Sequence, residues 1–123
     1  MHHGAAAYAS TARITATANP RELEASLLLK AAARIQAVKD QWPGAHGEMS
    51  HALNFNRKLW TLLTTSATRA ENPLPLEIKN NIANLGMFIL NRSLEMEIEP
   101  APEKLNVLVS INRNIAAGLS GRG

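Results

Sequence analysis

Proline punctuates this chain, and the punctuation limits what it can become. Six prolines fall into four breaks: Asn19-Pro20, Trp42-Pro43-Gly44, Asn72-Pro73-Leu74-Pro75 and Glu99-Pro100-Ala101-Pro102. Proline has no N–H to donate, and its ring clashes with the turn before it. A helix therefore starts at a proline but does not run through one. The stretches between breaks are each roughly 17 to 26 residues, the length of bundle helices. Asn19-Pro20 has the form of a helix start: a capping residue, proline at the first helical position, then Glu22 and Glu24 toward the positive end of the helix dipole.

Apolar spacing agrees with helices. Pro20 to Trp42 carries Leu23, Leu27, Ala31, Ile35, Val38 and Trp42 on one stripe, with Glu24, Lys30, Arg34 and Lys39 largely off it. Glu48 to Arg69 aligns Met49, Leu53, Asn56, Trp60, Leu63 and Ala67, with Leu59 and Leu62 beside them. Pro75 to Ile98 aligns Ile78, Ile82, Leu85, Ile89 and Met96, and adds Met87, Phe88, Leu90 and Leu94 on other faces. Pro102 to Gly118 offers Leu105, Leu108, Ile111 with Asn112, Ile115 and then Leu119, and Gly118 suits a C-terminal stop. The alanine- and threonine-rich stretch Ala5 to Ala18 suggests a shorter, weaker helix. No segment keeps the two-residue alternation of a half-buried strand. The expected fold is all-α: an antiparallel bundle of four main helices plus an N-terminal helix or arm, in one domain over residues 1–123, with 120–123 as a tail.

At 123 residues the chain has room for one core, and 46% hydrophobic against 19% charged residues is enough to build it. Without cysteine there are no disulfides, thiol nucleophiles or thiolate metal sites. The longest apolar run, Leu85 to Leu90, is far short of the roughly 20 residues that span a bilayer. Met1 to Asn19 lacks the greasy centre of a signal peptide. The net charge of +3 comes from basic residues scattered along the chain, of which Arg57-Lys58 is the densest pair. Nucleic-acid binders instead concentrate cations on one face, so solvated helix faces are the expected reading.

Enzyme chemistry finds no foothold in the residues. Gly44-Ala45-His46-Gly47 follows no strand and is a linker rather than a phosphate loop. Ser50 and His51 are adjacent, so on a helix they diverge by about 100° and cannot act as nucleophile and base. His46 and His51 lack a second ligand at helical spacing, so no metal site is expected. Glu95, Glu97 and Glu99 alternate at a helix end and face different ways.

Two features are more informative. Asparagine is a weak helix former, yet Asn56 and Asn112 lie on the apolar stripes themselves. Such an amide either makes a buried interhelical hydrogen bond that fixes register or is held ready for a docked partner. The second feature is apolar surplus: Leu85, Met87, Phe88, Ile89 and Leu90 exceed what a one-sided bundle helix needs. Either that helix is central and buried all round, the expected case, or one face accepts a partner helix, with Met87 and Met96 as adaptable contacts. Asn56, Trp60, Leu85, Phe88, Ile89 and Asn112 are the candidate partner-binding residues.

The ordered set Tyr8-Ala9, Pro20 to Ala25 with Leu27-Leu28, Asn56-Arg57-Lys58-Leu59-Trp60, Asn72 to Pro75 with Ile78 to Asn81, Asn84 to Phe88, and Leu108, Ile111-Asn112-Arg113 and Ile115 to Leu119 resembles the FlaF family of flagellar biosynthesis regulators. The likeness covers about Tyr8 to Leu119, whereas Met1 to Ala7 match nothing in that pattern. It implies a cytoplasmic, non-enzymatic protein without cofactors. Such a protein promotes flagellin synthesis, opposing the translational repressor FlbT, and assists flagellin export as a chaperone-like partner. The expected partner is a helical terminal segment of flagellin, with FlbT a further candidate. The alternative is control of flagellin messenger RNA, directly or through FlbT. Direct RNA contact is disfavoured because the chain has only five aromatic residues to offer as a stacking platform.

Overall fold

A computed structural model of the chain describes residues 20–121, apart from the His46 side chain. The expected N-terminal helix or arm, residues 1–7 and the last two residues of the tail lie outside the described residues. The described residues form four α-helices, α1 (Pro20–Asp40), α2 (His46–Ala67), α3 (Leu76–Ile98) and α4 (Asn106–Leu119), with a short 3-10 turn (Pro102–Leu105) leading into α4. Each proline break falls between or at the start of these elements. Among the described residues there is no strand.

Helix α1 packs most extensively on α4 and also on α2, α3 packs on α2, and α3 meets α4 only marginally. Small side chains explain why α1 is shared. It buries Ala25, Ala31 and Ala32 beside Leu28, Ile35 and Val38, and alanines let two neighbours approach one helix closely. The buried face is therefore rotated from the expected stripe: Leu23, Leu27 and Trp42 sit half-buried at its flank. On α2 the expected stripe is buried throughout, from Met49 to Ala67, but Leu62 beside it is 69% exposed.

Helix α3 departs most from expectation. It is peripheral rather than central, and along it only Ile82, Ile89, Ser93 and Met96 are buried. Within the greasy run Leu85 to Leu90, Ile89 alone is fully covered. Small groups set how it sits on α2. A Cβ added at Gly86 would lie 2.7 Å from Thr64 Oγ1, so the helices meet there at a distance that glycine permits. Ser93, fully buried, turns its hydroxyl back to the Ile89 carbonyl at 2.7 Å and needs no partner from elsewhere. Ser50 donates to Glu97 at 3.0 Å, and Lys79 donates to the Arg69 carbonyl at 2.9 Å. These contacts run in reverse order along the two helices, so α2 and α3 point in opposite directions.

The connection between them is tied by Asn72. Its Nδ2 donates to the Ser66 carbonyl at 3.0 Å, while its Oδ1 accepts from the Leu74 N–H at 3.0 Å, seating Leu74 in the core. At the far end, Gly118 does not stop α4, which continues to Leu119. The stop is Gly121, whose φ of 73° favours glycine and whose N–H reaches the Gly118 carbonyl at 3.2 Å.

Candidate functional site

Where the stripes of α1, α2 and α4 converge, the interior contains amides. Asn56 and Asn112 are fully buried. Trp60 Nε1–H donates to Asn112 Oδ1 at 2.9 Å. Asn112 Nδ2 donates to Asn56 Oδ1 at 2.7 Å and to the Leu28 carbonyl at 3.3 Å. One side chain on α4 thereby joins a side chain and an indole on α2 to the backbone of α1. A slip of one residue in any of the three helices would break the set and leave polar groups buried without partners. Asn56 Nδ2 is the one group of the cluster that has none.

The open surface lies elsewhere, along the seam of α2 and α3. A cleft of about 210 Å³ is floored by Trp60, Thr64 and Gly86 and walled by Met87 and Leu90. It continues past Arg57 and Thr61 into a shallower depression of about 580 Å³ bounded by Lys58 and Leu62. Met87 is 64% exposed and Leu90 44% exposed. With Leu94 and Ile98, also exposed, they form a stripe at 3-4-4 spacing that continues to the end of α3. The α2 side is more apolar than its sequence suggests. Thr61 and Thr65 turn their hydroxyls back to the carbonyls of Arg57 and Thr61, at 2.9 and 2.8 Å. Those hydroxyls are satisfied within their own helix.

Aromatic faces are occupied. Arg34 and Lys30 lie over the Phe55 ring, 4.9 and 5.7 Å from its centroid. Arg92 lies 5.1 Å over Phe88 and also donates to the Lys104 carbonyl at 3.2 Å, attaching α3 to the turn before α4. Among the described residues, no three His, Cys, Asp or Glu side chains gather as a metal site would require, and no helix is long and apolar enough to cross a membrane.

The six candidate residues separate accordingly. Asn56, Trp60, Ile89 and Asn112 are interior, each at most 2% exposed. For the two asparagines the hydrogen bonds are those of the interhelical alternative, with Asn56 Nδ2 alone left unpaired. Leu85 is half-buried against the core, and Phe88 is exposed at the edge under Arg92. Met96, the other adaptable contact anticipated, is fully buried. Sequence reasoning missed Leu62 and the threonine stripe as parts of a surface. The signal was present in the spacing of Thr61, Thr65 and Thr68 along one face.

Comparison with known families gives one match: residues 4–119 fit the family described as flagellar protein FlaF. The match begins at residue 4, so the family pattern includes part of the stretch that looked unrelated in sequence. No curated protein and no solved structure matches.

Proposed function

The chain belongs to the FlaF family of flagellar proteins, and from that premise we propose that it binds flagellin without enzymatic chemistry. In this reading it holds a helical terminal segment of flagellin in the α2–α3 cleft. The bound segment can then neither aggregate nor polymerise in the cytoplasm before export, which promotes flagellin synthesis and secretion. The observation that carries this reading is the stripe Met87, Leu90, Leu94 and Ile98, exposed along α3 beside Leu62 of α2. A continuous apolar stripe left in water on a helix that has already buried its core face is the acceptor for helix-in-groove binding. Ordering a client segment on docking costs several kcal/mol, which favours release at the export gate over permanent capture.

Direct reading of RNA has less support. Phe55 and Phe88 carry cations on their faces, and Trp60 is buried. The aromatic platform on which single-stranded bases stack is thus not free at these three rings.

The test is capture of flagellin, full length and truncated at each end, by the immobilised protein at low salt. Binding that depends on one terminal segment and is lost in Leu90→Asp, with helicity unchanged, is the expected result. Absence of flagellin binding by the folded wild-type protein refutes the proposal.

A further inference from the structure

The cleft has a sign as well as a shape. The charged side chains that border it are Arg57 and Lys58, both cationic and both on the α2 rim. Arg57 reaches Asn54 Oδ1 one turn back along its own helix. Among the described residues, neither Arg57 nor Lys58 meets a carboxylate. None of the acidic groups of α3, Glu77, Glu95 and Glu97, lines the cleft or its continuation. Glu95 pairs with Arg92 at 3.5 Å, and Glu97 is held by the Ser50 hydroxyl at the far end of the seam. A greasy floor flanked on one side by two uncompensated cations is complementary to only some helices.

We propose that the cleft selects an amphipathic protein helix whose apolar stripe is flanked by acidic residues, carboxylates that meet Arg57 and Lys58 as the stripe seats on Met87 and Leu90. The proposal takes from the flagellin reading only that this cleft is the docking surface, and adds the chemistry that the docked segment must carry. From Met87 to Ile98 the stripe spans about 16 Å at 1.5 Å per residue, so three turns of the partner suffice. Apolar contact supplies most of the affinity. The cations supply selectivity and encounter rate, which salt screens.

Two synthetic helices test this, with the same leucines at i, i+3, i+4 and i+7. One is flanked by glutamates and the other by lysines, and both are titrated calorimetrically into the full chain at about 50 mM and about 500 mM salt. The glutamate helix is expected to bind about tenfold more tightly at low salt, two rim pairs being worth that much together. The preference is expected to collapse at high salt and to reverse toward the lysine helix in the double variant Arg57→Glu/Lys58→Glu, with circular dichroism confirming its fold. For the wild-type chain at low salt, equal affinities, a preference for lysine, or no binding of either helix overturns the proposal. Flagellin separates the two claims. If it is captured but is neither displaced by the glutamate helix nor weakened by salt, the acidic-helix proposal fails while the flagellin reading survives. If the helices are discriminated as expected and flagellin is not captured, the flagellin reading fails and the selectivity stands.

Discussion

Replacing Asn112 by alanine should be among the most damaging single changes in the interior. The substitution removes the acceptor of the Trp60 indole N–H and the donor to Asn56 Oδ1, at 2.9 and 2.7 Å. Both groups lie in fully covered surroundings, where water cannot replace the lost partner. A buried polar group left unpaired costs about 1–3 kcal/mol, so two of them cost about 2–6 kcal/mol. The Leu28 carbonyl adds little, because inside α1 it keeps its own helical hydrogen bond. Set against about 5–15 kcal/mol for a domain of ordinary stability, that is a large fraction. Asn56→Ala is the control. It removes a hydrogen bond but also removes Nδ2, which already lacks a partner, and Asn112 keeps the Leu28 carbonyl. Its expected cost is about 1–1.5 kcal/mol. Urea unfolding followed by far-UV circular dichroism measures both. A loss within about 1 kcal/mol for Asn112→Ala, or equal losses for the two variants, refutes the reasoning.

Other consequences follow from single contacts. Gly86→Ala brings a methyl to 2.7 Å from Thr64 Oγ1 and is expected to cost about 1–2 kcal/mol through overpacking, and adding Thr64→Ala should recover part of that loss in the same urea assay. Leu85→Asp should destabilise the fold, since Leu85 packs against the core, whereas Leu90→Asp, on the exposed side, should leave the melting curve close to wild type and affect only partner capture. Burial raises the Glu24 carboxyl above its ordinary 4.5, with Arg21 opposing the rise. The folded state therefore holds this proton more tightly, and the associated stability is present below pH 4.5 and lost as pH climbs through the raised value. Glu24→Gln, always neutral, should accordingly exceed wild type in stability at neutral pH and match it in acid, as denaturation series at the two pH values will show.

Most of the helix boundaries were legible because proline and 3-4 spacing are local signals. The α2 stripe, from Met49 to Ala67, is buried as its periodicity implies, and the placement of Asn56 and Asn112 on stripes correctly marked amides that bond inside. What a single sequence does not encode locally is which helix covers which. Helix α3 is apolar nearly all round, which fits a central helix equally well. Its peripheral place is set by Ala25, Ala31 and Ala32, which make α1 the shared helix, and by the Gly86–Thr64 approach that seats α3 on one side of α2. For the same reason the docking residues were only partly legible. Phe88 and Ile89 are neighbours in sequence, yet one is exposed and the other is in the core. Leu62 and Met87 belong to one surface that only the folded helix pair creates. The stop at Gly121 was missed because Gly118 looks equally suitable by composition. Its helical neighbours simply carry α4 one residue beyond it.

The most direct examination of the α2–α3 cleft as the docking site uses its own methionine. In protein labelled at the methionine methyls, Met87 stands exposed on the stripe while Met49 and Met96 are buried. On titration with flagellin, the Met87 resonance should shift and gain contacts to client protons while those of Met49 and Met96 hold their positions. Flagellin binding that leaves Met87 unmoved would contradict the cleft as the site of capture.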